Sequence, residues 1–211
     1  HLLPIIDNLV SLLLADGRFA EAEPLTLQAL TVAEKHFGPE HGEVATRVSR
    51  LAQLFCAAQR FDEAEPLLRR ALAIAEGSLG PEDPSVAISL HNLAGLLRAT
   101  HRECEAEPFF RRALSMLERS LGPWHPDLAR AFGDFAEFLC EVNRPLESEP
   151  FARRALLILC AFERSTGNEP PRFDAAISRY GGVLGQLRVP EPTAMTRLEA
   201  IVQGHDPGNL R

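Results

Sequence analysis

Asn8, Arg50, Asn92 and Asp134 follow one another at intervals of 42 residues, and Ser11, Gln53, Arg98, Arg130, Glu137 and Arg179 fall around them. These side chains could hold a polypeptide. A carboxamide offers one donor and one acceptor to a peptide unit, and a guanidinium forks onto a carboxylate. Nothing in the chain pairs a nucleophile with a base, cradles a phosphate or gathers metal ligands, so the expected function is non-catalytic and uses no cofactor. His101-Arg102-Glu103-Cys104 has a metal-like spacing, but it falls in an expected turn with no second ligand pair near it in sequence. Cys104 reads as a cap or turn residue, and no metal site is expected.

The elements that place these residues repeat. Glu-Pro recurs at Glu23-Pro24, Glu65-Pro66, Glu107-Pro108 and Glu149-Pro150, and Ala22, Ala64, Ala106 and Ser148 precede it in phase. Ala29-Leu30, Ala71-Leu72, Ala113-Leu114 and Ala155-Leu156 follow it. A fixed period of this length signals a solenoid, whose units bury their apolar faces only against their neighbours.

Within the unit from Val44 to Pro84, Val48, Leu51, Ala52 and Phe55 follow the i, i+3, i+4, i+7 pattern of an amphipathic helix. Ala64, Leu67, Leu68, Ala71, Leu72 and Ala75 repeat it, so each unit is two helices. A turn at Gln59-Arg60-Phe61-Asp62 separates them, with Asp62 the expected N-cap and Pro66 in the first helical turn. Gly38-Pro39, Gly80-Pro81 and Gly122-Pro123 predict a left-handed cap and a stop. Pro84 and Pro126 then start the next helix after Asp83 and His125; His41-Gly42 stands there in the first unit. Ala52, Ala94 and Ala136, facing Ala64, Ala106 and Ser148, predict close helix approach.

The segment LAQLFCAAQRFDEAEPLLRRALAIAEGSLGPEDPSVA resembles the tetratricopeptide repeat (TPR) in its long form, similar to kinesin light chain and nephrocystin-3-like proteins. The resemblance covers residues 2 to about 163. It implies an all-α, right-handed α-solenoid whose concave face binds peptides. The expected division is a single array with repeats at about 2–43, 44–85, 86–127 and 128–169, C-terminal capping helices at 171–188 and 193–203, and a frayed tail at 204–211. Thr193 is the expected cap of the last helix.

If Val48, Leu51, Ala52 and Phe55 face inward, the opposite stripe carries Thr46, Ser49, Arg50, Gln53 and Cys56. Projected through the period, it adds Asp7, Asn8 and Ser11; His91, Asn92 and Arg98; Arg130, Asp134, Glu137 and Glu141; and Arg172 and Arg179. The resemblance implies that an asparagine at the place of Asn8 and Asn92 clamps the backbone of an extended peptide. Arg50 and Asp134 depart from that pattern. Arg50, Arg98 and Arg130 suit an acidic segment near the middle, and Asp134, Glu137 and Glu141 a basic end. Arg69-Arg70, Arg111-Arg112 and Arg153-Arg154 read as a solvated stripe on the other side, paired with glutamates.

A net charge of -7 opposes binding to a phosphate backbone, so nucleic acid is not an expected partner. No apolar run is long enough to span a membrane. A single lysine against 21 arginines is the codon bias expected of a GC-rich, bacterial genome. His1 is not an initiator Met and no signal-peptide pattern follows, so the chain reads as a cytoplasmic piece of something longer, its cysteines free thiols. The leading expectation is an interaction scaffold holding a partner's peptide in the concave groove. The alternative is a self-association, spacer or regulatory module, using the end face at Ile5, Ile6, Leu9 and Leu13.

Overall fold

The computed structural model describes residues 2–167 and 173–203, with side chains from Ile5 onward. The expected tail at 204–211, Arg172 of the polar stripe and residues 168–171 lie outside the described residues. Among the described residues all regular structure is helical: α1 (Leu2–Ala15), α2 (Phe19–Phe37), α3 (Gly42–Ala57), α4 (Phe61–Leu79), α5 (Pro84–Ala99), α6 (Glu103–Leu121), α7 (Pro126–Glu141), α8 (Pro145–Thr166), α9 (Phe173–Gln186) and α10 (Glu191–Gln203). Two compact units emerge, His1–Met116 and Leu117–Arg211. In the first, α1 packs on α2, α2 on α3, α3 on α4 and α4 on α5; in the second, α7 packs on α8, α8 on α9, and α10 on both α8 and α9.

Each first helix of a pair ends in the same turn. Gly17, Gln59, His101 and Asn143 take positive φ. The following arginine N–H reaches back five residues, Arg18 to the Leu13 carbonyl, Arg60 to Phe55, Arg102 to Leu97 and Arg144 to Leu139, all within 2.8–2.9 Å. This is the Schellman closure, and it satisfies carbonyls that the helix end would otherwise strand. It also starts the second helix at once. Arg60, not Asp62, is the N-cap residue of α4, and it makes no side-chain cap bond. Pro66 is consequently the sixth residue of its helix rather than part of the first turn, and it is exposed there, so water can take the carbonyl it leaves unpaired.

The arginine of that turn ties the pairs together. Arg60 forks onto Glu63 (Nε–Oε1 2.6 Å, Nη2–Oε2 2.7 Å) and sends Nη1 to Glu23 of the preceding pair (2.6 Å). Arg102 does the same with Glu105 (2.8 Å) and Glu65 (2.6 Å). Glu23 and Glu65 of the first two Glu-Pro pairs are therefore acceptors between pairs as well as neighbours of the helix start. Hydrogen bonding from Arg69 holds the Glu65 carboxyl below its ordinary range, against the opposing effect of partial burial, and Arg102 adds to the depression.

The links between pairs use glycines at φ 89° (Gly38), 91° (Gly80) and 80° (Gly122). Gly38 and Gly80 have ψ 155°, an extended mirror-image region rather than the compact left-handed cap the sequence predicts, and one essentially closed to residues with a Cβ. Asp83 then caps α5 by accepting from the Ser85 N–H (2.8 Å). His41 and His125 cap α3 and α7 through Nδ1, accepting from the N–H of Glu43 (3.1 Å) and Asp127 (3.2 Å). An imidazole accepts there only in its neutral form.

The core sits between helices lined by small residues. Ala52, Ala64, Ala94, Ala106, Ala136 and Ser148 are all fully buried. Ser148 donates its hydroxyl to the Ala136 carbonyl (2.7 Å), so the one polar member of the series is satisfied. In the capping segment Tyr180 is buried and donates to Glu149 (3.0 Å), giving that glutamate a phenol in place of an arginine. Burial and the Glu149 charge push the Tyr180 phenol up to about 12. Thr193 is the third residue of α10 rather than its cap.

Two outcomes test this account. His101 sits at φ 57° with its side chain in solvent, where a non-glycine residue costs about 1 kcal/mol, so His101→Gly should stabilise the fold by up to that amount in urea unfolding. Glu63, Glu65 and Glu105 all titrate below the ordinary range because arginines bond them. Groups with depressed folded values add stability above the unfolded carboxylate pKa of about 4.3 and lose it as pH falls through the folded values. Stability should therefore drop below about pH 4, and Glu65→Gln should shrink the drop; an unchanged drop would assign it elsewhere.

Candidate functional site

The described part of the polar stripe separates into two sets, one in each unit. In the first unit, Ser11 of α1, Arg50 and Gln53 of α3 and Asn92 of α5 line one cavity of about 360 Å³. Thr46 and Ser49 join them, as the stripe expects, and Ser85 and Ser89 were not foreseen. Ser85, Ser89 and Asn92 lie at i, i+4 and i+7 on α5, a spacing that could have revealed them. Val10, Leu14, Ala45, Ala75 and Ile88 give the cavity apolar walls. Asn8 is exposed on α1 and Arg98 half-buried on α5, and neither lines this cavity.

Arg50 is the one charged lining residue, and its charge is largely answered. Asp7 forms an ion pair with Arg50 Nη1 (3.2 Å) and accepts from Arg47, which is buried beside it. The resulting surface is hydroxyl- and amide-rich and close to neutral. His91, which the stripe places in the groove, is instead buried and meets the Phe110 ring edge-on at 5.6 Å. Asn92 carries a buried Nδ2 for which no hydrogen-bond partner is found among the described residues.

In the second unit Arg130, Asp134 and Arg179 line a smaller cavity of about 160 Å³. Arg179 reaches Glu137 at 3.1 Å and Asp134 at 3.8 Å, and Arg130 stands 3.8 Å from Asp134. Gly133 makes this possible, since a Cβ there would run into Arg179 Nη1. The carboxylates that read in sequence as a basic-ligand end are thus already paired with arginines of the same unit. Two charges of each sign close on themselves, and little net field is left for a partner.

The other candidates resolve into structure. His101 is the positive-φ residue of its turn, and Cys104 is the second residue of α6, exposed, rather than a cap or turn residue. On the second helices Arg69 bonds Glu65 (2.7 Å), Arg70 bonds Glu34 (2.7 Å) and Arg112 bonds Glu76 (2.7 Å), as expected of a paired, solvated stripe. Arg154 departs from it by stacking over Trp124 (4.4 Å) while donating to the Pro123 carbonyl (2.8 Å).

Models of the tetratricopeptide repeat match residues 5–43 and 45–119, together more than half of the chain. The chain belongs to the tetratricopeptide repeat family. Its fold is that of BtubC (BKLC) from P. vanneervenii, with a TM-score of 0.79 at 21% identity over 95% of this chain and 79% of that one. It is also similar to a Podosopora anserina putative kinesin light chain with nearly identical TPR-like repeats, TM-score 0.74 at 20% identity over 97% of each chain. No curated protein matches the sequence. The tetratricopeptide repeats here form an all-α solenoid fold. Such repeats in general mediate protein–protein interaction and are non-catalytic, and among the described residues no helix of this TPR chain is long and apolar enough to cross a membrane.

All four cysteines of the TPR chain are free. Burial pushes the Cys56 and Cys160 thiols up to about 11, whereas Cys104 is exposed. The thiolate is the reactive form. A disulfide reagent at pH 7.5 should label Cys104 quickly and leave Cys56 and Cys160 unmodified until the fold is opened with denaturant; fast labelling of all four would contradict this packing.

Proposed function

We propose that this TPR chain is an interaction scaffold that holds an extended peptide segment of a partner protein in the cavity of its first unit. The observation that carries this reading is the convergence of Ser11, Arg50, Gln53 and Asn92 from three successive first helices onto one apolar-walled groove. Amides and hydroxyls suit a peptide backbone, and the volume between Val10, Leu14 and Ile88 suits one or two aliphatic side chains. Asn92 brings a carboxamide to this lining, the group that matches a peptide unit in donor and acceptor.

The electrostatics refine the ligand. Because Asp7 holds Arg50, a strongly acidic segment gains little here, and the favoured ligand is a neutral stretch with an aliphatic anchor. Asn8 and Arg98 belong to this reading only as outlying contacts, since neither lines the cavity, and Arg130, Asp134, Glu137 and Arg179 stand apart from it in the second unit. Four free thiols support a reducing compartment such as the cytoplasm.

Peptides selected from a random display library on the wild-type chain test the proposal. Gln53→Ala with Asn92→Ala should weaken the selected peptides by about ten-fold or more, roughly 1.4 kcal/mol, with circular dichroism unchanged. Peptides that bind both proteins equally would move the site out of the groove.

A further inference from the structure

Ile5, Leu9, Leu12 and Val32 are 65%, 44%, 65% and 38% exposed. One period later the same places hold Arg47, Leu51, Leu54 and Ile74, and all four are buried. Ser89, Leu93, Leu96 and Met116 are buried in the third pair, and Ala131, Phe135, Phe138 and Ile158 in the fourth. The apolar face of α1 and α2 therefore corresponds to the surface by which the second and third pairs dock on the one before them. In the first unit the covering is direct, since α2 packs on α3 and α4 on α5.

Arg18 carries the matching electrostatic half. Arg60 and Arg102 each fork onto a glutamate three residues on and also bond the Glu-Pro glutamate of the pair before, Glu23 and Glu65. Arg18 makes the local fork with Glu21 (both bonds 2.7 Å), and among the described residues it meets no carboxylate of another pair. The covering helices α2 and α4 are each joined to the helix they cover by four residues, Gly38–His41 and Gly80–Asp83. An in-line helix with the same short link falls naturally onto α1.

We infer that the face of Ile5, Leu9, Leu12 and Val32, with Arg18 at its edge, docks a further tetratricopeptide helix pair joined in line ahead of Leu2, whose second helix opens with a Glu-Pro glutamate that bonds Arg18. The chemistry favours this occupant over a second copy. Within this chain Glu23 and Glu65 already serve Arg60 and Arg102, and Glu149 serves Tyr180. A fresh pair brings both the missing carboxylate and the apolar helix that the register requires.

The experiment fuses a second copy of residues 44–85 directly ahead of Leu2 in the full chain, which preserves the 42-residue phase. Hydrogen exchange of the α1 amides should slow by about ten-fold or more in the fusion relative to the parent. Leu9→Glu should be tolerated by the parent and erase the slowing in the fusion. Arg18→Ala and alanine at the copied Glu65 should show a non-additive loss of stability in the fusion and none in the parent, which keeps the test readable if Leu9→Glu fails to fold. Equal exchange in the two proteins, or additive single losses, would overturn the inference. A parent chain that dimerises, and loses dimerisation on Leu9→Glu, would overturn it in favour of a second copy.

Discussion

A pair of helices joined by one tight turn cannot close its own core. Its first helix presents apolar residues on two sides, toward its own partner and toward the pair before, and only stacking in phase covers both. Leu51 is nearly inaccessible because α2 lies over it, while Leu9, at the same place in the first pair, is 44% exposed. Regular stacking follows from that need, and the fixed period, the small residues at the pair seams and the interpair arginine clamps all serve it.

The polar groups divide between scaffold and surface according to the same geometry. Arg60 and Arg102, placed just after their Schellman turns, are carried to the edge of the preceding pair, where they meet the Glu-Pro glutamate. These pairs are partly solvated, so each contributes modestly and chiefly fixes the register of stacking. The faces of the first helices left uncovered carry the groove. In the first unit that groove is nearly neutral, because Asp7 absorbs Arg50; in the second, Arg179 lying over Gly133 closes Asp134 and Glu137 into an internal network. A chain whose composition suggests a charged ligand surface thus offers a hydroxyl- and amide-lined one.

Much of the fold was legible because helical periodicity and the 42-residue period are one-dimensional signals. The helix pairs, the alanine seams and the caps at Asp83, His41 and His125 could all be read from spacing. The start of the second helices was not. Nothing in Gln59-Arg60-Phe61-Asp62 announces that a glutamine adopts positive φ and that Arg60 becomes the cap, because that closure depends on a carbonyl five residues back being left for the Arg60 N–H. Of the candidate site, Ser11, Arg50, Gln53 and Asn92 were recoverable by projecting one helix face through the period. His91 was misplaced, because a residue one step from Asn92 turns under it onto Phe110.

The sequence by itself determined the repeat, the helix pairs and the face on which polar side chains collect, since these depend on residue type and spacing alone. Tertiary structure decided which of those side chains remain available. Whether Arg50 offers its charge to a ligand depends on Asp7, more than one period away, and whether Asp134 and Glu137 do depends on Arg179 of the capping helix. Such pairings are set by distances across packed helices, and the strength of a charge at a surface depends on what stands a few ångströms from it rather than on what precedes it in the chain.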